Sequence, residues 1–356
     1  MRRGSNLNPP NRFEATRLDV CLDQLADDDE WLDVQSRRPV EYFDDRSGSI
    51  VSENRSPDIP FRYSVNPYRG CLHGCSYCYA RNTHEYLGLN AGEDFETRIM
   101  VKQNAPELLR QFLRRKAWKG DEWISFSGVT DCYQPVERRM ELTRGCLQVC
   151  HEHSQSVGII TKNRMVCRDI DLLGPMAARK TARVWLSVTS LDRNLTGVME
   201  PGTTRPEGRL RAIRELSEAG IPCGVMVAPV IPGLNDHEIP SILKAASEAG
   251  ARHAGYILLR LPMTVRPVFE EWLQKHFPDR VAKVTGRLRQ SREGEMNTKE
   301  FHKRMKGSGE MADQIAKMFA TFRTRYGLDS KPEGADYSQF RSRPDDGRQM
   351  QISFDG

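Results

Sequence analysis

The sequence lacks any run of the roughly 18 apolar residues that a membrane span requires. The two arginines after Met1 are not followed by the apolar stretch of a secretion signal. Membrane insertion and export are therefore not expected, and the chain reads as cytoplasmic. A charge excess of one sign is also missing: 53 Lys and Arg face 48 Asp and Glu, a net charge of +5 over 356 residues. So small an excess does not compel a polyanionic partner, although nucleic acid stays open as one. Nor is there an even set of cysteines. Nine of them, in a chain without a secretion signal, read as reduced thiols with some acting as ligands.

Apolar residues are sparse over 1–60, where Asp, Arg, Ser, Asn and Pro dominate, so this segment is expected to be an extended or partly ordered arm that adds little to a core. Over 61–277, short β-branched runs alternate with helical periodicity, with strands expected at 62–66, 123–126, 157–161, 183–188, 223–228 and 254–259. Six such units predict an α/β fold, a partial (β/α)6 TIM-like barrel. Between the strands, Val136, Met140, Thr143, Leu147 and Cys150 recur at helical spacing, as do Leu210, Ile213 and Leu216, and then Ile239, Ile242, Ala245 and Ala246. A C-terminal helical extension is expected over 278–328, its apolar face formed by Met311, Ile315, Met318, Phe319, Phe322 and Tyr326, with a flexible tail over 329–356.

The segment Gly70-Cys71-Leu72-His73-Gly74-Cys75-Ser76-Tyr77-Cys78 sets three cysteines in C-x3-C-x2-C spacing just after the first expected strand, at the end of a barrel where loops carry function. Three soft thiolates on one tight loop suit one side of a four-iron four-sulfur (4Fe–4S) cube, with Gly70 and Gly74 freeing the backbone to turn. Three ligands leave one iron open. The amino and carboxylate groups of S-adenosylmethionine form a five-membered chelate for such an iron, and one electron passed into its sulfonium would release a 5'-deoxyadenosyl radical. A structural zinc site is the bland alternative, requiring His73, His84 or a distant cysteine as fourth ligand.

The triplet, with Tyr77 before its last cysteine, resembles the radical S-adenosylmethionine (radical SAM) superfamily. The segments SVNPYRGCLHGCSYCYAR from Ser64, SGVTDCYQPVE from Ser127, ITKN from Ile160, Glu200 with Arg209, and APVIPGLND from Ala228 look like the branch related to spore photoproduct lyase. That resemblance implies a radical enzyme, lyase-like, with S-adenosylmethionine and a 4Fe–4S cluster as cofactors and an electron donor such as flavodoxin or ferredoxin. DNA-lesion repair is among the activities it suggests. A different class, a non-catalytic iron-sulfur or zinc module that binds nucleic acid, would need a basic aromatic surface instead.

By the same resemblance, Ser127, Gly128, Thr130 and Asp131 receive the amino group of the methionine moiety; an ordinary turn with Asp131 as a helix cap explains the same letters. Lys162 and Arg209 are candidates for its carboxylate, or else solvated charges, and Glu200 and Ser187 for the ribose hydroxyls. Ile231 would lie along adenine or simply end a buried strand, and Tyr77 would add a contact from the cysteine loop. The photoproduct lyase is expected to carry a hydrogen-donating cysteine where this chain has Gly128, so photoproduct repair itself does not follow. Cys132 and Tyr133, a few residues on, are the candidate catalytic side chains, with core packing as the other reading of Cys132. Cys146, Cys150 and Cys223 read as core thiols, and Cys167 and Cys21 have no partner spacing.

Overall fold

The computed structural model describes residues 3–13, 39–330 and 334–343. Cys21, the middle of the expected arm and the last part of the expected tail lie outside the described residues.

Six strands form one parallel sheet in sequence order: β3 (Tyr63–Val65), β6 (Ile124–Phe126), β7 (Val157–Thr161), β8 (Ala182–Ser187), β9 (Cys223–Val230) and β10 (His253–Leu258). Each pairs with the next through a helical crossover, the arrangement of a partial TIM-like barrel and the one read from the sequence. Alternation decides which face of the sheet the helices cover. Val157, Ile159, Val184, Leu186, Val225 and Val227 are buried in one core with Leu147, Leu173, Ile213 and Ile242 of the helices. The alternate positions carry Trp185, Gly224 and Gly255, and the two glycines leave the room that the indole fills: a Cβ on Gly224 would stand 2.5 Å from the Trp185 ring.

The helical run expected from Val136 to Cys150 is two helices, Glu137–Met140 and Leu142–His153, separated by Glu141 at φ 51°. The buried Glu137 carboxylate accepts from the backbone N–H of Thr143 (2.9 Å) and Arg144 (3.2 Å), so it satisfies the free amides that start the second helix. The C-terminal helix Glu310–Arg325 buries Ala312, Ile315 and Phe319 against the barrel, with the Phe319 ring 4.6 Å from that of Tyr256 on β10. No helix among the described residues is long and apolar enough to cross a membrane.

Among the described residues of 1–60, one apolar side chain, Ile50, is buried in a core, yet the segment contributes two strands. Strand β2 (Val51–Glu53) pairs antiparallel with β3, and Ile50, 2% exposed, sits in the main core. Strand β1 (Glu41–Asp44) joins β5 (Arg98–Val101) and β4 (Tyr68–Arg69) in a second, small sheet. Edge strands with open faces need few apolar residues, which is why composition gave no sign of them. At the other end, Phe340 packs against Gly120, and the Arg341 carbonyl lies 2.8 Å from His153 Nδ1, docking part of the expected tail.

Candidate active site

Strand β4 delivers the chain into the cysteine loop, 70–78, at the carboxyl end of the parallel strands. Gly70 (φ 79°) and Gly74 (φ 60°) make its turns, and at Gly70 a Cβ would lie 2.9 Å from the Arg98 carbonyl oxygen. The loop is held by groups distant in sequence. Gln134 donates to the Gly70 carbonyl (3.0 Å) and accepts from Leu72 N–H (2.9 Å). Arg81, fully buried, donates through Nε and Nη2 to the Cys75 carbonyl (3.0 and 2.8 Å) and pairs with Glu96. Ser76 N–H donates to the Met199 carbonyl (3.0 Å) and Gly202 N–H to that of His73 (3.0 Å). From the N-terminus, Gly4 lies against Gly74 and donates to Glu96 (3.1 Å), and Asn8 and Asn11 continue along 85–93.

Gly202 has no room for a side chain, since a Cβ there would overlap the Leu72 carbonyl. Gly202→Ala is therefore expected to push the cysteine loop off its seat while the distant sheet stays folded. After anaerobic iron and sulfide reconstitution, it should show an unchanged far-UV circular dichroism spectrum and a several-fold drop in bound iron.

Cys71 and Cys75 are 5% and 6% exposed, and Cys78 is partly buried. Burial pushes the Cys71 thiol up to about 12, with the charges of Asp131 and Cys78 adding to it. Burial likewise raises Cys75 and Cys78, and the Lys162 ammonium acts against this rise at both. Lys162 lies over the cysteine loop at Tyr77, its Nζ 5.8 Å from the centre of that ring. Of the two histidines that could complete a zinc site, His73 has partners at both ring nitrogens, whereas His84 is engaged through Nε2 and its Nδ1 is buried without a partner. His73 Nδ1 is 3.4 Å from Asp131 and its Nε2 is 3.5 Å from Asn163, while His84 Nε2 faces the Arg98 carbonyl at 3.0 Å. Among the described residues, no group of three His, Cys, Asp or Glu side chains is arranged to hold a single metal ion.

Beside the loop lies the segment after β6. Ser127 adopts φ 70° and its Oγ accepts from Cys132 N–H (2.9 Å), leaving Ser127 and Gly128 partly exposed and the Gly128 carbonyl bonded by the Tyr79 hydroxyl (2.9 Å). Thr130 is buried and donates to the Tyr68 carbonyl (2.9 Å). Asp131 ties its own segment to the end of β7, accepting from Thr161 Oγ1 (2.8 Å), Lys162 N–H (2.9 Å) and Tyr133 N–H (2.9 Å). Ile231 is fully buried in one cluster with Cys75 and Tyr77.

Several expected contacts are corrected here. Cys132 and Tyr133 are wholly buried in the main core, and the Tyr133 hydroxyl donates to Asp169 (2.9 Å), so neither side chain reaches the mouth. Their place on an amphipathic turn looked the same in the sequence as a mouth-facing one. Arg209, also fully buried, pairs with Glu200 and donates to the carbonyls of Ser187 (3.0 Å) and Thr204 (2.7 Å) and to Thr203 Oγ1 (2.6 Å). Glu200 in turn accepts from the Tyr77 hydroxyl and Thr189 Oγ1. This closed network anchors the cysteine loop through Tyr77; its members are not free for a methionine carboxylate or a ribose. The residues that sequence reasoning missed, Arg81 and Gln134 as loop clamps, carried one signal: they lie within the same conspicuous segments as the cysteines.

A parallel half-barrel with a three-cysteine loop at the carboxyl end of its strands defines the class. The chain belongs to the radical SAM superfamily, whose sequence pattern matches residues 65–246. A protein of Mycobacterium tuberculosis is 38% identical over 227 residues, 63% of this chain; the alignment spans 66% of that relative, just under two thirds of its length. A radical SAM Nα-GlyT isomerase of Pseudomonas phage M6 is 23% identical over 273 residues, 74% of this chain and 54% of its own. Spore photoproduct lyase in complex with dinucleoside spore photoproduct superimposes with a TM-score of 0.56 at 17% identity, over 80% of this chain and 78% of the lyase, a likeness of fold.

Proposed function

We propose that Cys71, Cys75 and Cys78 hold a 4Fe–4S cluster and that the protein cleaves S-adenosylmethionine reductively to start radical chemistry on a second substrate. The observation that carries this reading is the loop itself: two buried thiols and a partly buried third, clamped by Arg81 and Gln134, with His73 engaged by Asp131 and Asn163. The donor set fits the group, because three soft sulfurs satisfy three irons and leave the fourth for a chelating ligand. When bound, the cluster would pass one electron into the sulfonium, giving methionine and a 5'-deoxyadenosyl radical that takes a hydrogen atom from the substrate.

The protein's own residues would bind and exclude water. Lys162 is the cation suited to the methionine carboxylate, since Arg209 is already neutralised. The partly exposed Ser127 and Gly128 offer backbone to the amino group, whereas Ile231 is fully buried with Cys75 and Tyr77 and backs the loop instead of offering an open edge. The buried surroundings of the thiols keep water and oxygen from the reacting centre. A flavodoxin or ferredoxin of the cytoplasm would supply the electron. The second substrate is an organic molecule with an abstractable hydrogen, for which a nucleic-acid lesion is one class.

The test is anaerobic reconstitution, dithionite reduction and assay of 5'-deoxyadenosine. About four irons and four sulfides per chain are expected, together with formation of 5'-deoxyadenosine from S-adenosylmethionine. A protein that takes up a single zinc ion, or whose reduced cluster leaves S-adenosylmethionine intact, would overturn the reading.

A further inference from the structure

Two of the buried guanidinium groups in this protein, Arg81 and Arg209, follow the usual rule: each meets a carboxylate, Glu96 or Glu200, and donates its remaining N–H groups to oxygen. At the carboxyl end of β10 the rule is broken. Arg292, 2% exposed at the end of the helix Val281–Gln290, donates through Nη2 to the carbonyls of Leu259 (2.5 Å) and Arg304 (3.4 Å), while its Nε and Nη1 have no partner. Arg260, just past the end of β10, has an unpartnered buried Nε; its Nη1 faces the Met305 sulfur at 3.6 Å, a weak acceptor. The carboxylate nearby, Asp58, is engaged by Arg304, which donates to it through Nε (2.6 Å) and Nη2 (2.5 Å). Arg304 thus takes the carboxylate, and neither Arg260 nor Arg292 bonds it.

Burying unpaired charge of one sign is unfavourable unless something completes the set. Desolvation, with Arg260 adding to it, pushes Arg292 down to about 10, and Arg260 is itself lowered by burial and by Arg304. The place is also informative. The Arg260 guanidinium lies 5.8 Å from the centre of the Tyr79 ring, and Tyr79 directly follows Cys78 and bonds the Gly128 carbonyl. Arg260 therefore borders the residue that follows the cysteine loop, and Arg292 stands behind it, bonded to the Leu259 carbonyl.

We propose that Arg260 and Arg292 receive an oxyanion of the second substrate, a phosphoryl or carboxylate group, and so hold that substrate beside the cysteine loop. The proposal rests on the reading of this mouth as the reacting end. It names a substrate class: molecules carrying an anionic group some distance from the hydrogen to be removed. Planar guanidinium groups suit such an anion because their N–H pairs match its oxygens in bidentate fashion.

The experiment is calorimetric titration of the full-length, anaerobically reconstituted protein with inorganic phosphate and, in a second arm, with acetate. Saturable binding of either is expected, and which one binds tells a phosphoryl group from a carboxylate. The dissociation constant should rise about tenfold or more in Arg292→Met and in Arg260→Met. It should be unchanged in Arg62→Met, a half-exposed arginine at the opposite end of the strands. Because Arg292 is deeply buried, Arg260→Met decides the matter where Arg292→Met does not fold. Absence of binding by both anions, unchanged affinity in Arg260→Met, or displacement of the anion by S-adenosylmethionine would overturn the proposal. Formation of 5'-deoxyadenosine is measured on the same preparation without added anion, so failure of the radical reading and failure of the anion site are told apart.

Discussion

Cys75→Ala protein, reconstituted without oxygen, is expected to form no 5'-deoxyadenosine above background and to lose most of its bound iron. Cys71→Ala and Cys78→Ala should behave alike. The reason is geometric: a cube gripped at three corners loses its seat when one is removed, and no spare cysteine stands on this loop to replace it. The control is Cys146→Ala. Cys146 is just as buried but packs in the main core on the helix Leu142–His153, so its loss should leave a small cavity costing about 1–2 kcal/mol and full iron content. Iron quantified per chain, with electron paramagnetic resonance of the reduced protein, separates the two outcomes. Equal iron in Cys75→Ala and wild type would remove the cluster from this loop.

The second large effect concerns the buried pair beneath the loop. Glu200→Gln should destabilise the protein by roughly 3–5 kcal/mol, because it leaves the Arg209 charge buried without its counter-ion. The double variant Glu200→Gln/Arg209→Met should lose less than the sum of the two single changes, the mark of a coupled pair. The pH dependence has a definite sign. Burial alone would raise the Glu200 carboxyl, but Arg209, Lys162 and the Tyr77 hydroxyl hold it below its ordinary 4.5. A depressed folded-state value means that its stabilisation is present above pH 4.5 and lost as pH falls through that lower value. Urea unfolding followed by circular dichroism should therefore show the gap between wild type and Glu200→Gln closing below pH 4.5. A gap that stays constant into acid would mean that Glu200 is held by packing rather than by charge.

Much of this protein was legible from local pattern. The six parallel strands lie within two residues of their expected ends because each is a short apolar run closed by a turn, a signal that needs no knowledge of the rest of the chain. The cysteine loop announced itself by spacing. The three-stranded side sheet did not, since β1, β4 and β5 have two to four residues each and draw stability from pairing rather than from apolar content. Likewise Glu141 in the left-handed region splits one helical periodicity into two helices, and periodicity alone is blind to a single residue's φ.

Side-chain partners were harder still. Lys162, Arg209, Arg260 and Arg292 are all basic residues that the sequence distinguishes only by position. By itself the sequence determined the strand order and the three-cysteine loop, because both depend on residues close together in the chain. Only the tertiary structure decided that Arg209 is neutralised by Glu200, that Cys132 and Tyr133 face the core, and that Arg260 and Arg292 are left with open donors. The charge state and access of a side chain depend on what is packed against it, and those neighbours come from distant parts of the chain.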